Sequence, residues 1–180
     1  MWRCAAAAVA AIVFVLSAAA TAQDSLDRAD KIKAAYLYNL GRYVEWMEPA
    51  ATDGQPAPFV IGLMAPETLS DELRLIAETK TLDGRPIVVR RFASSHDVGP
   101  CHLLYLPRTV PLDVQRDVIQ QHSGKSVLFV GEIPEFHRIG GIVLLQEVDN
   151  RIRLVVSQAA ARRENLKFSA KLLQVAQVAD

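Results

Sequence analysis

Apolar and polar positions change period several times along the chain, and each change marks an element. Between about Ser25 and Met47 the residues Ile32, Tyr36, Leu40, Tyr43 and Met47 are spaced by four, four, three and four. That spacing lays them on one face of an α-helix. Ser25 suits its N-cap, and Asp27 and Asp30 suit its early turns. Gly41 weakens the helix interior without ending it. Residues 49–56 are turn formers and read as a loop. Phe59–Met64 is an apolar run of strand length, and Leu69–Thr79 follows as a helix with Ser70 at its N-cap and Leu73, Ile76 and Ala77 inward. Asp83-Gly84 is a turn. Arg85–Phe92, β-branched at its centre, and His102–Leu106 read as strands. Pro111–His122 reads as a helix with proline in its first turn and Val114, Val118 and Ile119 on one side. Ser126–Val130 is a further strand.

The pattern then becomes a hairpin. Ile142–Val148 and Arg151–Ser157 flank Asp149-Asn150, two residues that tolerate the positive φ of a tight turn. Ile152, Leu154 and Val156 alternate with Arg151, Arg153 and Val155, so one face of the second arm is buried. Leu166–Val178 reads as a closing helix carrying Leu172, Leu173, Val175 and Ala176. Strands alternating with helices predict an α/β fold. Its sheet is mainly parallel and covered on both faces, with the C-terminal antiparallel hairpin at one edge.

The beginning of the chain has a different character. Arg3 precedes an apolar run from Ala5 to Leu16, and Ala20-Thr21-Ala22 is a small-x-small cleavage site. This is the pattern of a secretory signal peptide over residues 1–22, removed before Gln23. The competing reading, a membrane anchor, needs about 20 apolar residues, and this run is shorter and rich in alanine. Cys4 lies before the run, which is the wrong side for a lipoprotein. Residues 23–180 then form a single domain of about 158 residues, enough to bury a sizeable core.

Charge and cysteine content narrow the function classes. Removing the signal leaves 19 basic residues against 20 acidic ones, so no basic surface excess recommends nucleic acid as a partner. Cys101 is the one cysteine left. Its flanks suggest the start of a buried strand, and an unpaired thiol in an oxidising compartment is either buried or available for a bond between chains.

Catalytic patterns are thin. The chain has no Gly-x-Ser-x-Gly elbow, no phosphate-binding glycine loop and no His-Glu-x-x-His. Gly140-Gly141 precedes a strand rather than a helix, so a turn or bulge explains it better than an anion cradle. His96, His102, His122 and His137 show no metal-ligand spacing, and His137 beside Glu135 is the sole local acid–His pair. No cofactor and no metal are expected. Arg162-Arg163-Glu164, with Arg151 and Arg153, is either a solvated face or a patch for an anionic ligand or acidic partner. Tyr36 and Tyr43 read as core residues, whereas Trp46 near the helix end could line a groove, with Tyr43, for a small ligand.

Several segments, taken in order, resemble the YfiR family. They are Lys33-Ala34-Ala35-Tyr36-Leu37-Tyr38-Asn39-Leu40, Tyr43-Val44-Glu45-Trp46, Gly84-Arg85-Pro86-Ile87, Cys101-His102-Leu103-Leu104-Tyr105-Leu106 and Gly140-Gly141-Ile142. Asn150-Arg151-Ile152-Arg153-Leu154, Ala159-Ala160-Ala161-Arg162-Arg163 and Leu166-Lys167-Phe168-Ser169-Ala170-Lys171-Leu172-Leu173 complete the series. Each is weak alone; the ordered set is specific. The resemblance implies a three-layer α/β/α sandwich, often a homodimer, in the periplasm. It implies a non-enzymatic regulator that binds the periplasmic sensor portion of a membrane-bound diguanylate cyclase and represses it, lowering cyclic-di-GMP and biofilm formation. It also implies a disulfide at the position of Cys101, but the matching partner position in the first strand is Gly62 here, which argues against redox control by an internal bond.

The expected partner-binding region is the hairpin and the segment after it: Ile142, Val143, Arg153, Val155, Ala161, Arg162 and Arg163. The alternative is a periplasmic small-molecule sensor or solute-binding domain, its ligand at the carboxyl ends of the strands near Ala65, Pro107 and Glu132. An enzyme using His102, Glu132 or Glu147 is the remaining reading.

Overall fold

The computed structural model describes residues 28–46, 57–149 and 151–179. The signal-peptide reading and the 49–56 loop lie outside these residues. Helix α1 occupies residues 28–43 and runs directly into strand β1 (Val44–Trp46). Strand β2 (Phe59–Leu63), helix α2 (Glu67–Thr79), strands β3 (Thr81–Leu82) and β4 (Arg85–Arg91), and strand β5 (Leu103–Leu106) follow. Next come α3 (Leu112–His122), β6 (Leu128–Gly131), β7 (Val143–Val148) and β8 (Arg151–Ser157). The described chain closes with α4 (Gln158–Arg163), β9 (Leu166–Phe168), α5 (Ala170–Val175) and β10 (Gln177–Ala179).

Eight strands form one sheet in the order β10-β8-β7-β6-β5-β2-β4-β3, and β1 with β9 forms a separate two-stranded ribbon. The run from β7 to β4 is parallel; β3 and β8 are antiparallel to it, and β10 is parallel to β8. Every residue of β2, β5 and β6 is buried, the signature of central strands covered on both faces. From β2 the chain crosses through α2 to one side, and from β5 through α3 to the other. Right-handed crossovers in opposite directions put α2 and α3 on opposite faces. This is the expected α/β sandwich with a mainly parallel sheet. The Arg151–Ser157 arm of the hairpin matches its expected bounds, and β10 adds one more strand outside it.

Three expectations are corrected. The inward face of α1 is Ala34, Leu37, Leu40 and Gly41, continuing to Val44, whereas Ile32 is exposed and Tyr36 and Tyr43 are half-buried. The reason is a close approach: a Cβ on Gly41 would stand 2.6 Å from Leu82 Cδ1, so the helix turns its smallest residues toward the sheet. The tyrosines flank this contact, and Tyr36 Oη donates a hydrogen bond to the Ile152 carbonyl at 3.1 Å. Second, Ser70 lies fully buried within α2, whose N-cap is Pro66.

Third, no helix spans Leu166–Val178. Val44 pairs with Phe168 and Trp46 with Leu166, which draws that stretch into β9. Ser169 then caps the short α5 by accepting from Leu172 N–H, and Gln177–Ala179 pairs with β8. Apolar residues at 166, 168, 172, 173 and 175 satisfy a helical period tolerably, but the tertiary partners of both flanks favour extended chain. Helix α4 is an additional element with a local signal of its own: Ser157 accepts from Ala160 N–H as an N-cap ahead of an alanine-rich run.

Candidate functional site

The carboxyl ends of the parallel strands carry one buried carboxylate. Glu132 follows β6, and its side chain is almost fully enclosed. Lys33 of α1 places Nζ 2.6 Å from Oε1, and Tyr105 Oη donates to the same oxygen at 2.6 Å. Arg108 N–H donates to Oε2 at 3.2 Å, with its guanidinium Nε at 3.8 Å. Burial alone would raise the Glu132 pKa. The hydrogen bonds from Lys33 and Tyr105, the Lys33 charge and the Arg108 amide outweigh it and hold the carboxyl below its ordinary value. Burial first, and then the neighbouring Glu132 charge, push the Tyr105 phenol up. Glu132 therefore stays ionised, Tyr105 stays protonated, and the four groups bind one another. Beside them Gln115 Nε2 donates to the carbonyls of Pro107 and Val110, which fixes the loop after β5.

Gly140-Gly141 is explained by Phe136. A Cβ on Gly141 would stand 2.2 Å from the Phe136 ring, and one on Gly131 would stand 2.3 Å from it, so this fully buried ring is held between two glycines. Gly140 has φ +100°. Gly140 serves the expected turn, and Gly141 makes room for the ring. Glu135 and His137 do not pair; His137 Nδ1 lies 3.1 Å from the Gly141 carbonyl oxygen.

The amino ends of β2 and β5 form an aromatic corner. Phe59 stacks on His102 at 4.7 Å and meets Trp46 edge-on at 4.9 Å. Val60 N–H donates to His102 Nδ1, and Trp46 Nε1 donates to the His102 carbonyl. Trp46 is thus tied into the fold by both ring and N–H, and Tyr43 contributes a face to Arg42 at 5.6 Å. Nearby, Cys101 faces Gly62: a Cβ built there lies 3.2 Å from Cys101 Sγ and 2.7 Å from the Phe92 ring. The structure therefore brings together the two positions that the resemblance paired, with the room at position 62 filled by Phe92. Burial pushes the Cys101 thiol up to about 12, against a small opposing effect of Arg90. Among the described residues, no group of three His, Cys, Asp or Glu could hold a metal ion.

The expected partner-binding residues divide by burial. Ile142, Val143 and Ala161 belong to the core, at 0%, 0% and 2% exposure, and present no side chain to a partner. Ile142 and Val143 sit where β7 leaves the Phe136 turn, and Ala161 faces inward from α4. Arg153, Arg162 and Arg163 are exposed, and Val155 is half-buried. Arg162-Arg163 did not bring Glu164 to the surface with them. Glu164 is buried and accepts from Ser123 Oγ and Gly124 N–H at 2.8 Å, which fastens the end of α4 to the end of α3.

The sequence profile of the YfiR/HmsC-like family matches residues 30–177. The chain belongs to that family. The match runs from α1 into β10, so it takes in the Glu132 cluster, the aromatic corner and the basic flank of this YfiR/HmsC-like protein together. No curated protein matches it. Among solved structures, it is similar to a conserved domain protein from Vibrio cholerae O1 biovar El Tor str. N16961, at 14% identity and a TM-score of 0.49. That similarity covers 67% of this chain, which spans 54% of the Vibrio chain. No helix among the described residues is long and apolar enough to cross a membrane.

The buried cluster around Glu132 had no signal in the sequence. Nothing local links Lys33 to Glu132, 99 positions later, or Tyr105 to either. Glu132 itself was reachable because it follows a buried strand at its carboxyl end.

Proposed function

We propose that this YfiR/HmsC-like protein is a periplasmic regulatory binding protein. It represses an inner-membrane diguanylate cyclase by binding the cyclase's periplasmic sensor region, lowering cyclic-di-GMP and biofilm formation. The observation that carries this reading is family membership across residues 30–177. Supporting it, the polar groups at the carboxyl ends of the strands are spent on one another, while Arg153, Arg162 and Arg163 stand exposed without a carboxylate partner among the described residues. The contact surface contracts accordingly to Arg153, Val155, Arg162 and Arg163, with Ile142, Val143 and Ala161 supporting it from behind. Apolar contact supplies affinity, and the arginines set register and approach.

Affinity capture of the tagged protein from detergent-solubilised membranes, with a gene deletion in parallel, tests the reading. The expected result is recovery of a membrane protein that carries a periplasmic sensor and a cyclase domain, and a rise in cyclic-di-GMP on deletion. A well-folded bait that retains no such protein, with cyclic-di-GMP unchanged in the deletion strain, overturns it. The small-molecule reading has less support, because Trp46 is already engaged by Phe59 and the His102 carbonyl.

A further inference from the structure

A half-open cleft of about 280 Å³ lies at the amino ends of β5 and β6. Val98, Pro100 and Cys101 line it from the segment before β5, and Val127 from the start of β6. His122 at the end of α3 and Lys125 in the turn after it complete the lining. At about 30 Å³ for each water-sized group, the cleft has room for a molecule of about nine such groups. Pockets that take small ligands begin near this size.

The lining divides by chemistry. Val98, Pro100 and Val127 are apolar, and the Cys101 thiol, pushed up to about 12 by burial against a small effect of Arg90, joins them uncharged. Lys125 has no ion-pair partner among the described residues, and the His122 ring makes no hydrogen bond among them. Burial, and then the Lys125 charge, hold His122 below its ordinary 6.5, so at pH 7 it is neutral and offers one ring N–H. The acids of the adjoining segments are occupied. Asp97 accepts from Ser94 Oγ at 2.7 Å, and buried Glu164 accepts from Ser123 Oγ and Gly124 N–H. Lys125 therefore differs from a lysine on an open surface: apolar walls beside it limit the water that weakens its attraction for an anion.

We propose that this cleft binds a small organic monocarboxylate with an apolar body. The carboxylate is held by the Lys125 ammonium and the His122 N–H, and the body lies against Val98, Pro100, Val127 and the Cys101 thiol. One charged and one neutral donor match a single negative charge, whereas a phosphate dianion calls for more donors. The usual ligand position of a parallel sheet, at the carboxyl ends of its strands, is filled here by Glu132, Lys33 and Tyr105. The cleft shares no residue with the surface of Arg153, Val155, Arg162 and Arg163, so the site stands or falls independently of the repressor reading.

The test titrates phenylacetate, the uncharged phenylacetamide, acetate and inorganic phosphate into the purified protein, with backbone amide shifts followed by NMR. Phenylacetate is expected to move the amides of Val98, Cys101, Lys125 and Val127, with a dissociation constant on the order of a millimolar or tighter. It is expected to bind about tenfold more tightly than each of the other three. At saturation it also slows the reaction of Cys101 with a thiol reagent. Lys125→Met, at an exposed position, is expected to weaken phenylacetate about tenfold with the melting temperature unchanged. Lys80→Met removes the same charge beside β3, at the end of the sheet away from β6, and leaves binding as it was. Equal binding of phenylacetate and phenylacetamide overturns the proposal, because the anion then plays no part. Acetate or phosphate binding as tightly as phenylacetate overturns it too, because the apolar walls then contribute nothing. Equal losses in the two lysine variants, or no shift at the cleft residues with millimolar phenylacetate, also overturn it.

Discussion

The carboxyl ends of the parallel strands and the C-terminal flank are both rich in charge, yet they are built in opposite ways. At the carboxyl ends, Glu132, Lys33, Tyr105 and the Arg108 amide satisfy one another out of water, and Phe136 fills the adjoining turn. On the flank, Arg153, Arg162 and Arg163 stand in solvent, Val175 and Val178 are exposed, and Glu164 is turned inward. A charge whose partner is inside the molecule contributes to the fold; a charge without one is hydrated by water. The same residue types therefore hold the domain together in one place and stand free in water in the other.

Substitutions can break that contrast at either side. The largest expected effect is on Cys101, a half-buried group of the opposite, amino-end rim. With its thiol pushed up to about 12 from 9.0, reaction with a thiol reagent at pH 8 should be slower than in the unfolded chain by on the order of a hundred- to a thousandfold. Stopped-flow rates in buffer and in denaturant check this. Lys33→Met strands the Glu132 carboxylate and should cost about 3 kcal/mol in chemical denaturation. Gly141→Ala drives a methyl into the Phe136 ring and should cost about 2 kcal/mol, with part of the loss recovered in the double variant carrying Phe136→Leu.

Acid provides a milder probe of the same cluster. The folded pKa of Glu132 lies below the ordinary 4.5, so its contribution is fully present above that value and is lost as pH falls through the folded pKa. Glu132→Gln should flatten the acid limb of the stability–pH curve below about pH 4.5 and leave its slope near pH 7 unchanged. The smallest effect belongs to the flank: Arg162→Ala with Arg163→Ala should change stability by less than about 0.5 kcal/mol while weakening capture of the partner. A stability loss as large as that of Lys33→Met would erase the distinction between the two regions.

The periodicity of the chain determined the hairpin, the mainly parallel sheet and, apart from β3, the strand and helix succession from Phe59 to Ser157, while the family was carried by the ordered set of resembling segments. Those features rest on local rules: alternation for a half-buried strand, turn residues with positive φ, and unbroken apolar runs for strands covered on both faces. Tertiary structure alone decided three others. Gly41 against Leu82 rotated α1 so that its small residues face inward and its tyrosines flank them. The pairing of β9 with β1 and of β10 with β8 overrode a helical period from Leu166 to Val178, because hydrogen-bond partners supplied by distant strands outweigh a propensity of a few tenths of a kcal/mol per residue. The union of Lys33, Tyr105 and Glu132 exists only once α1 crosses the sheet, since side chains so far apart in sequence meet by topology and leave no local pattern.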